Sequence, residues 1–207
     1  MGKKKLAIFD MDGTLLDSMP YWENVGRSYL AGKGIEVPDN FDKLIGSMTL
    51  NESAIYMKEQ FGLTESIEEI LEGSLRNIML SYQFEIPAKR GMKQVVKKEK
   101  DAGHTVIVLT SSEKSCVYAA LKRTGMFPYF DHIYTSDEVG MGKTKPDIYQ
   151  LMCQKFGVSP EETHVYEDAF FAIKSAKEAG CYVTAVYDRT MEDHWQEIVR
   201  ISDEQIR

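Results

Sequence analysis

Near its start the chain has a short apolar run, Leu6-Ala7-Ile8-Phe9, which breaks off into Asp10-Met11-Asp12-Gly13-Thr14. The run has no helical period, so it reads as a buried strand that stops at a loop. Side chains two apart on an extended backbone share a face, which puts Asp10 and Asp12 within reach of one centre. In open parallel sheets that centre, just past the strand end, is where ligands bind. Gly13 lets the backbone turn tightly or approach a ligand closely. Taken alone the stretch also fits a simple turn cap, because Asp-Gly pairs are common in turns.

The same pattern recurs down the chain. A β-branched run at 105–109 ends in Thr110, Ser111 and Ser112. A weaker run, His132-Ile133-Tyr134, follows, then 163–166 ending in Glu167-Asp168, then a fifth strand at 182–186. Helical stretches fill the gaps at 91–102, around Val117, Ala120 and Leu121, at 147–156, around Ile173 and Ala176, and finally at 192–202. Four of them stop at Gly103, Gly125, Gly157 and Gly180, the residue that best closes a helix. Strand alternating with helix implies an α/β fold with a parallel sheet and right-handed crossovers.

Residues 17–84 break that alternation. Trp22, Val25, Gly26, Tyr29 and Leu30 recur at helical spacing. A second helix is expected from Thr49, with Glu52 as its capping-box partner and Gly62 as its end. A third is expected after Ser66, boxed by Glu69, with Ile67, Ile70, Leu71, Leu75, Ile78 and Tyr82 as its stripe. This is an all-helical insert, and Pro87 lies near the return to the sheet. The expected division is therefore 1–16 with 85–207 as an α/β core, and 17–84 as a helical domain.

At 207 residues the chain can bury a sizeable core. A net charge of −7 argues against nucleic acid as a partner but leaves room for an anionic substrate at a locally cationic site. Cys116, Cys153 and Cys181 have no close spacing and read as reduced thiols, which places the chain in the cytoplasm. No stretch has the length of a signal h-region or a membrane helix, so no membrane partner is expected. A monomer is the expected state.

Asp10/Asp12, Thr110/Ser111, Lys143/Lys145 and Glu167/Asp168 all fall after strands or in the loops between them. Parallel strands gather such positions on one edge. Carboxylates crowded there repel one another unless a divalent cation lies among them, and a few hard oxygen ligands suit Mg²⁺. Lysine and hydroxyls beside the metal suit a tetrahedral oxyanion. The chemistry assembled is phosphoryl transfer with a carboxylate nucleophile.

Asp-Met-Asp-Gly-Thr, Thr110, Lys-Thr-Lys-Pro-Asp at 143–147 and Tyr-Glu-Asp at 166–168 resemble, in order and spacing, the four motifs of the haloacid dehalogenase superfamily. The resemblance spans the whole chain. It implies a Rossmann-like parallel sheet of five or more strands and, at 17–84, the small helical cap of the β-phosphoglucomutase and phosphoglycolate phosphatase relatives. By the same resemblance Asp10 is the nucleophile that forms a phosphoaspartate. Asp12 is the acid and then the base, with its carbonyl on the metal. Thr110 and Lys143 hold the phosphoryl group, and Glu167 and Asp168 complete the Mg²⁺ site. Gly13, Ser111 and Tyr21 join Thr110 and Lys143 as substrate contacts.

Three departures bear on this reading. Ala169 and Ala172 stand where the family often has serine and glycine, and Lys89-Arg90-Gly91 replaces a proline-glycine pair. The first two change no carboxylate; Lys89 and Arg90, two cations beside the return from the insert, either bear on substrate or are solvated, and a solvated surface is the commoner place for such a run. The segment Gly46-Ser47-Met48-Thr49 lacks the arginine that holds a distal phosphate in the mutases.

The expected function is a Mg²⁺-dependent phosphatase acting on a small phosphorylated metabolite such as a sugar phosphate, with a β-phosphoglucomutase-like phosphosugar mutase or a non-catalytic phosphate-binding protein as alternatives. Asp12 argues against a dehalogenase, since halide needs no acid to leave. Gly142-Lys143-Thr144 mimics a P-loop tail but lacks the earlier glycine, since position 137 is Asp137. His104 and His164 open strands at the edge away from the site and read as structural, and Trp22 reads as core.

Overall fold

A computed structural model describes residues 5–45, 48 and 50–207, without the side chain of Lys43. The expected helix start at Thr49 lies outside the described residues. The chain divides into two compact units, Met1–Asp17 with Pro87–Arg207, and Ser18–Ile86. The divisions fall after 17 and after 86 because the outgoing and returning chains pair within the first unit. Asp17 N–H donates to the Pro87 carbonyl at 3.0 Å, Lys89 N–H donates to the Leu15 carbonyl at 2.9 Å, and Leu16 bridges Ala88 antiparallel.

The first unit is an α/β sandwich on a parallel sheet. Its strands are β1 Leu6–Phe9, β2 Thr105–Thr110, β3 His132–Thr135, β4 Thr163–Glu167, β5 Tyr182–Val186 and β6 Glu204–Ile206. Among the described residues they lie in the order β3-β2-β1-β4-β5-β6, every pair parallel. All four residues of β1 are buried, as a central parallel strand covered on both faces requires. One face packs Leu6, Ile8, Ile107, Leu109, Val165, Val183 and Ala185 against Ile148, Tyr149, Met152 and Ile173.

Two details differ from the sequence reading. β6 adds a sixth strand: Asp203 N–H pairs with the Val183 carbonyl and starts a short exposed edge with little apolar pattern. The expected helix at 192–202 begins as a 3₁₀ turn at Arg189–His194, and its α-helical part is confined to Trp195–Ile201. Among the described residues no disulfide forms, and all three cysteines are buried. Burial pushes the Cys116 thiol up to about 11, so it behaves as a small core group.

Around the sheet run α6 Met92–Asp101, α7 Lys114–Arg123, α8 Ser136–Val139, α9 Asp147–Phe156, α10 Phe170–Glu178 and α11 Trp195–Ile201, numbered after the five helices of the second unit. On the second face of the sheet Tyr166 stacks on Phe9 at 4.2 Å between centroids, and His164 stacks on Tyr166 at 4.2 Å. Glu99, buried in α6, meets this face. Tyr166 OH donates to it at 2.6 Å, His104 Nδ1 bonds it, and His164 Nδ1 lies 3.5 Å away. Burial would raise the Glu99 carboxyl, but these partners outweigh it and hold the pKa at about 2. Both histidines are structural partners of that acid.

The second unit is helical throughout its described residues: α1 Met19–Glu23, α2 Val25–Ala31, α3 Phe41–Ile45, α4 Leu50–Phe61 and α5 Ile67–Phe84. The first periodic stretch is two helices, broken at Asn24, rather than one, and α3 is a short helix the sequence reading did not mark. Ser66 and Glu69 form the expected capping box at the start of α5. The core gathers Tyr29, Leu30, Phe41, Ala54, Met57 and Ile70. Gly73 lies against the Tyr29 ring, where a Cβ would come within 2.4 Å of Cε2. Trp22 Nε1 donates to Tyr82 OH at 2.8 Å, so Trp22 is a packing residue with a satisfied polar end.

Candidate active site

The strand register fixes what meets at the carboxyl edge. Phe9 is level with Val108 on one side and Tyr166 on the other, so Asp10 emerges level with Glu167 and with Leu109, one residue short of Thr110. Asp10 N–H donates to the Tyr166 carbonyl at 3.0 Å and holds the start of the loop on the sheet. One carboxylate oxygen from each of Asp10, Glu167 and Asp168 lies within 4.8 Å of the others, and all three residues are buried. Thr110 is buried at the end of β2.

Lys143 comes from the loop before α9 and is buried. Its ammonium bonds Asp10 Oδ1 and donates to Glu167 Oε2 at 2.7 Å. Burial alone would lower its pKa; the Asp10 and Glu167 charges outweigh that and hold it well above the ordinary lysine value. Lys145, two residues on, is exposed.

The cluster carries more negative charge than one lysine balances. Burial, then the neighbouring Asp10 charge, pushes the Glu167 carboxyl up to about 7. Burial, then Glu167 and Asp10, raises Asp168 well above the usual carboxylate range. Hard carboxylate oxygens that resist sharing one volume fit a divalent cation, which would favour their charged forms. Asp10, Glu167 and Asp168 are therefore the residues able to hold one.

The loop is built for close approach. Gly13 has φ of +84°, and a Cβ there would lie 2.2 Å from Asp168 Oδ2, so only glycine fits under that carboxylate. Thr14, buried, donates from Oγ1 to Asp168 Oδ1 at 2.8 Å. Asp12 lies outside the trio, where the Ser112 hydroxyl donates to its Oδ2. Ser111 is exposed, its hydroxyl 3.2 Å from that of Ser136. Tyr21 belongs to the helical unit, where it lines a groove with Asn24, Ser28, Asn77 and Ser81.

Thr14, Ser112, Lys89 and Asp188 were not singled out as site residues in the sequence. Thr14 and Ser112 each adjoin a motif residue and were within reach of closer reading. Lys89, taken as a solvated charge, is instead mostly buried and ion-paired to Asp188 at 2.8 Å. Arg90 is exposed.

Residues 4–180 match the family model described as haloacid dehalogenase-like hydrolase. The chain is 30% identical over 176 residues to fructose-1-phosphate phosphatase YqaB of Escherichia coli (strain K12), covering 84% of this chain and 91% of that protein. It is 25% identical over 174 residues to the phosphorylated carbohydrates phosphatase of Thermotoga maritima, covering 84% and 81%. A Thermotoga maritima structure described as a beta-phosphoglucomutase superposes with a TM-score of 0.86 at 22% identity, over 98% of this chain and 94% of that one, a likeness that concerns the fold. The chain belongs to the haloacid dehalogenase-like hydrolases and is an enzyme of that class. No helix among the described residues is long and apolar enough to cross a membrane.

Proposed function

We propose that this hydrolase is a Mg²⁺-dependent phosphatase that cleaves a small phosphomonoester, a sugar or polyol phosphate, through a phosphoaspartate on Asp10. The observation that carries the reading is the buried meeting of Asp10, Glu167 and Asp168 with Lys143 at the carboxyl edge of the sheet. Relatives named as phosphatases of fructose 1-phosphate and of phosphorylated carbohydrates support the substrate class.

Asp10, Glu167 and Asp168 would hold Mg²⁺, which would supply the positive charge that lets carboxylates and a phosphate dianion share one volume. Asp10 attacks phosphorus and displaces the alcohol oxygen. Asp12 gives that oxygen its proton, then takes one from the water that hydrolyses the acyl phosphate. Its place outside the carboxylate trio, on the Ser112 hydroxyl, suits a group that must exchange a proton rather than bind metal through its side chain. Lys143 neutralises the phosphoryl oxygens and keeps Asp10 in place, and Thr110 donates to the same oxygens. Gly13 lets the Asp168 carboxylate lie directly against the loop that carries Asp10 and Asp12. The helical unit takes the part of this family's cap, which selects the substrate.

The purified protein should be given a panel of sugar and polyol phosphates with Mg²⁺ or with a chelator. Inorganic phosphate released only with Mg²⁺ supports the proposal. An isomeric sugar phosphate formed without phosphate release would make it a mutase. No phosphate from any member, or full release in chelator, refutes the reading.

A further inference from the structure

Where the chain returns to the sheet unit, Lys89 reaches across to the other end of that unit's sequence. Its side chain is only 16% exposed and its ammonium has two partners. One is the Gly13 carbonyl; the other is Asp188 Oδ2, at 2.8 Å. Asp188 is 4% exposed and itself fixed. Its Oδ1 accepts from Thr190 N–H at 3.0 Å and from Thr190 Oγ1 at 2.7 Å. Burial would raise the Asp188 carboxyl, but Lys89 and these bonds outweigh it and lower its pKa, which favours the carboxylate. A half-used surface ion pair would look different, with mobile groups and one bond each.

What Lys89 holds is the peptide between two site residues. Gly13 follows Asp12, and Thr14, just beyond, donates to Asp168. The loop closes on itself through Gly13 N–H to the Leu16 carbonyl at 3.0 Å, and through Leu15 and Leu16 N–H to the Met11 carbonyl, both at 2.9 Å. Those bonds fix the loop's internal shape; backbone bonds hold its two ends, Asp10 N–H on the Tyr166 carbonyl and Lys89 N–H on the Leu15 carbonyl, and leave the peptide at Gly13 between them to side chains. Thr14 on Asp168 anchors one side of Gly13, and Lys89 on the Gly13 carbonyl anchors the other. Asp188 follows β5, on the same carboxyl edge as Asp10 and Glu167.

We propose that Lys89, held by Asp188, is a positioning residue: it clamps the Gly13 carbonyl and so sets where Asp10 and Asp12 stand relative to Lys143 and Asp168. An error of about 1 Å in such a loop costs about 10²-fold in rate. Because Lys89 acts through the loop, its loss lowers kcat and leaves KM nearly unchanged. The kinetic part rests on the phosphatase reading; the clamp itself does not.

The test uses the full-length protein, with Lys89→Met and the double variant Lys89→Met/Asp188→Asn. Lys89→Met leaves a buried carboxylate unpaired, so it lowers Tm; the double variant removes that charge and restores most of the Tm. With p-nitrophenyl phosphate and Mg²⁺, kcat is expected to stay down 10- to 100-fold in both variants, with KM within threefold. By NMR, the Gly13, Leu15 and Leu16 amides are expected to exchange at least tenfold faster in both, while those of Ile8 and Phe9 do not change. A double variant that regains kcat together with Tm, or unchanged exchange in both variants, overturns the proposal. A wild type that turns over no phosphate ester refutes the phosphatase reading instead, and the exchange measurement still decides this one.

Discussion

Two of the charged clusters that the sheet unit buries are opposites. On the α6 face a single carboxylate, Glu99, is met by Tyr166, His104 and His164, and its pKa sits at about 2. At the carboxyl edge three carboxylates meet around one lysine; Glu167 rises to about 7 and Asp168 well above its usual range. The first is satisfied, with donors in excess of charge. The second is incomplete, with charge in excess of donors. A buried group is kept charged by its partners or pays by neutralising. A cluster left short of positive charge is therefore one arranged for something that arrives, a cation with an anionic substrate. The complete one holds the structure and needs nothing further.

Asp10→Asn tests the reactive half of that contrast most severely. The amide keeps the shape but cannot form an acyl phosphate, so turnover should fall by more than about 10³-fold while the circular dichroism stays that of the wild type. Activity within tenfold of wild type would remove Asp10 as nucleophile. Asp12→Asn should be milder, about 10²- to 10⁴-fold in kcat, the usual range for a lost acid and base. The loss should shrink for substrates whose leaving group needs no proton, and an equal loss across leaving groups would count against the role.

Lys143 and Lys145 sharpen the contrast within one loop. Lys143→Ala removes the sole ammonium bonded to Asp10 and Glu167 among the described residues, and kcat/KM should drop by about 10²- to 10³-fold, as for other lost oxyanion contacts. Lys145→Ala should change it by less than about fivefold, as for an exposed charge. Kinetics of both on one substrate at saturating Mg²⁺ decide the matter; a crippled Lys145 variant would shift the loop's assignment by two residues.

Glu99→Gln reaches the complete cluster, so its expected effect is on stability alone. At pH 7 it should cost about 1–3 kcal/mol by denaturant unfolding, because buried donors lose a charged acceptor, with kcat unchanged. The sign of the pH dependence follows from the depressed pKa. The Glu99 contribution is fully present above the unfolded value of 4.5 and is lost as pH falls through about 2. The stability gap between wild type and variant should close over that window. A gap constant down to pH 2 would show that Glu99 owes its stabilisation to packing rather than to charge.

Periodicity and glycine stops placed most elements because those signals are local. α9 and β5 fall at 147–156 and 182–186 as read, and the Ser66 box starts α5. Asp10, Thr110, Glu167 and Asp168 could be brought together for the same reason: a parallel sheet sends the end of every strand to one edge, so a residue's position at or after its strand's end is also its position in space. Lys143 follows a helix rather than a strand, and only the family resemblance placed it with them. The elements misread were the ones with little local pattern. β6 is three residues, two of them exposed, paired to β5 by backbone bonds that any side chain allows. Asn24 splits a helix whose apolar spacing runs straight through the break.

Side-chain partnership across long separations was decided by the tertiary structure alone. Lys89 and Asp188 are 99 residues apart and Asp12 and Ser112 are 100 apart. Neither member of either pair carries any mark of the other, since one lysine in Lys89-Arg90 reads like any surface charge until a buried carboxylate faces it. The balance of charge in each cluster belongs to the same class. Sequence supplies acids and bases by kind, but whether three carboxylates share one lysine or one carboxylate has three donors depends on which ends the fold brings within a few ångströms. That distance sets the pKa values, and through them separates the cluster short of positive charge from the one whose charge is fully partnered.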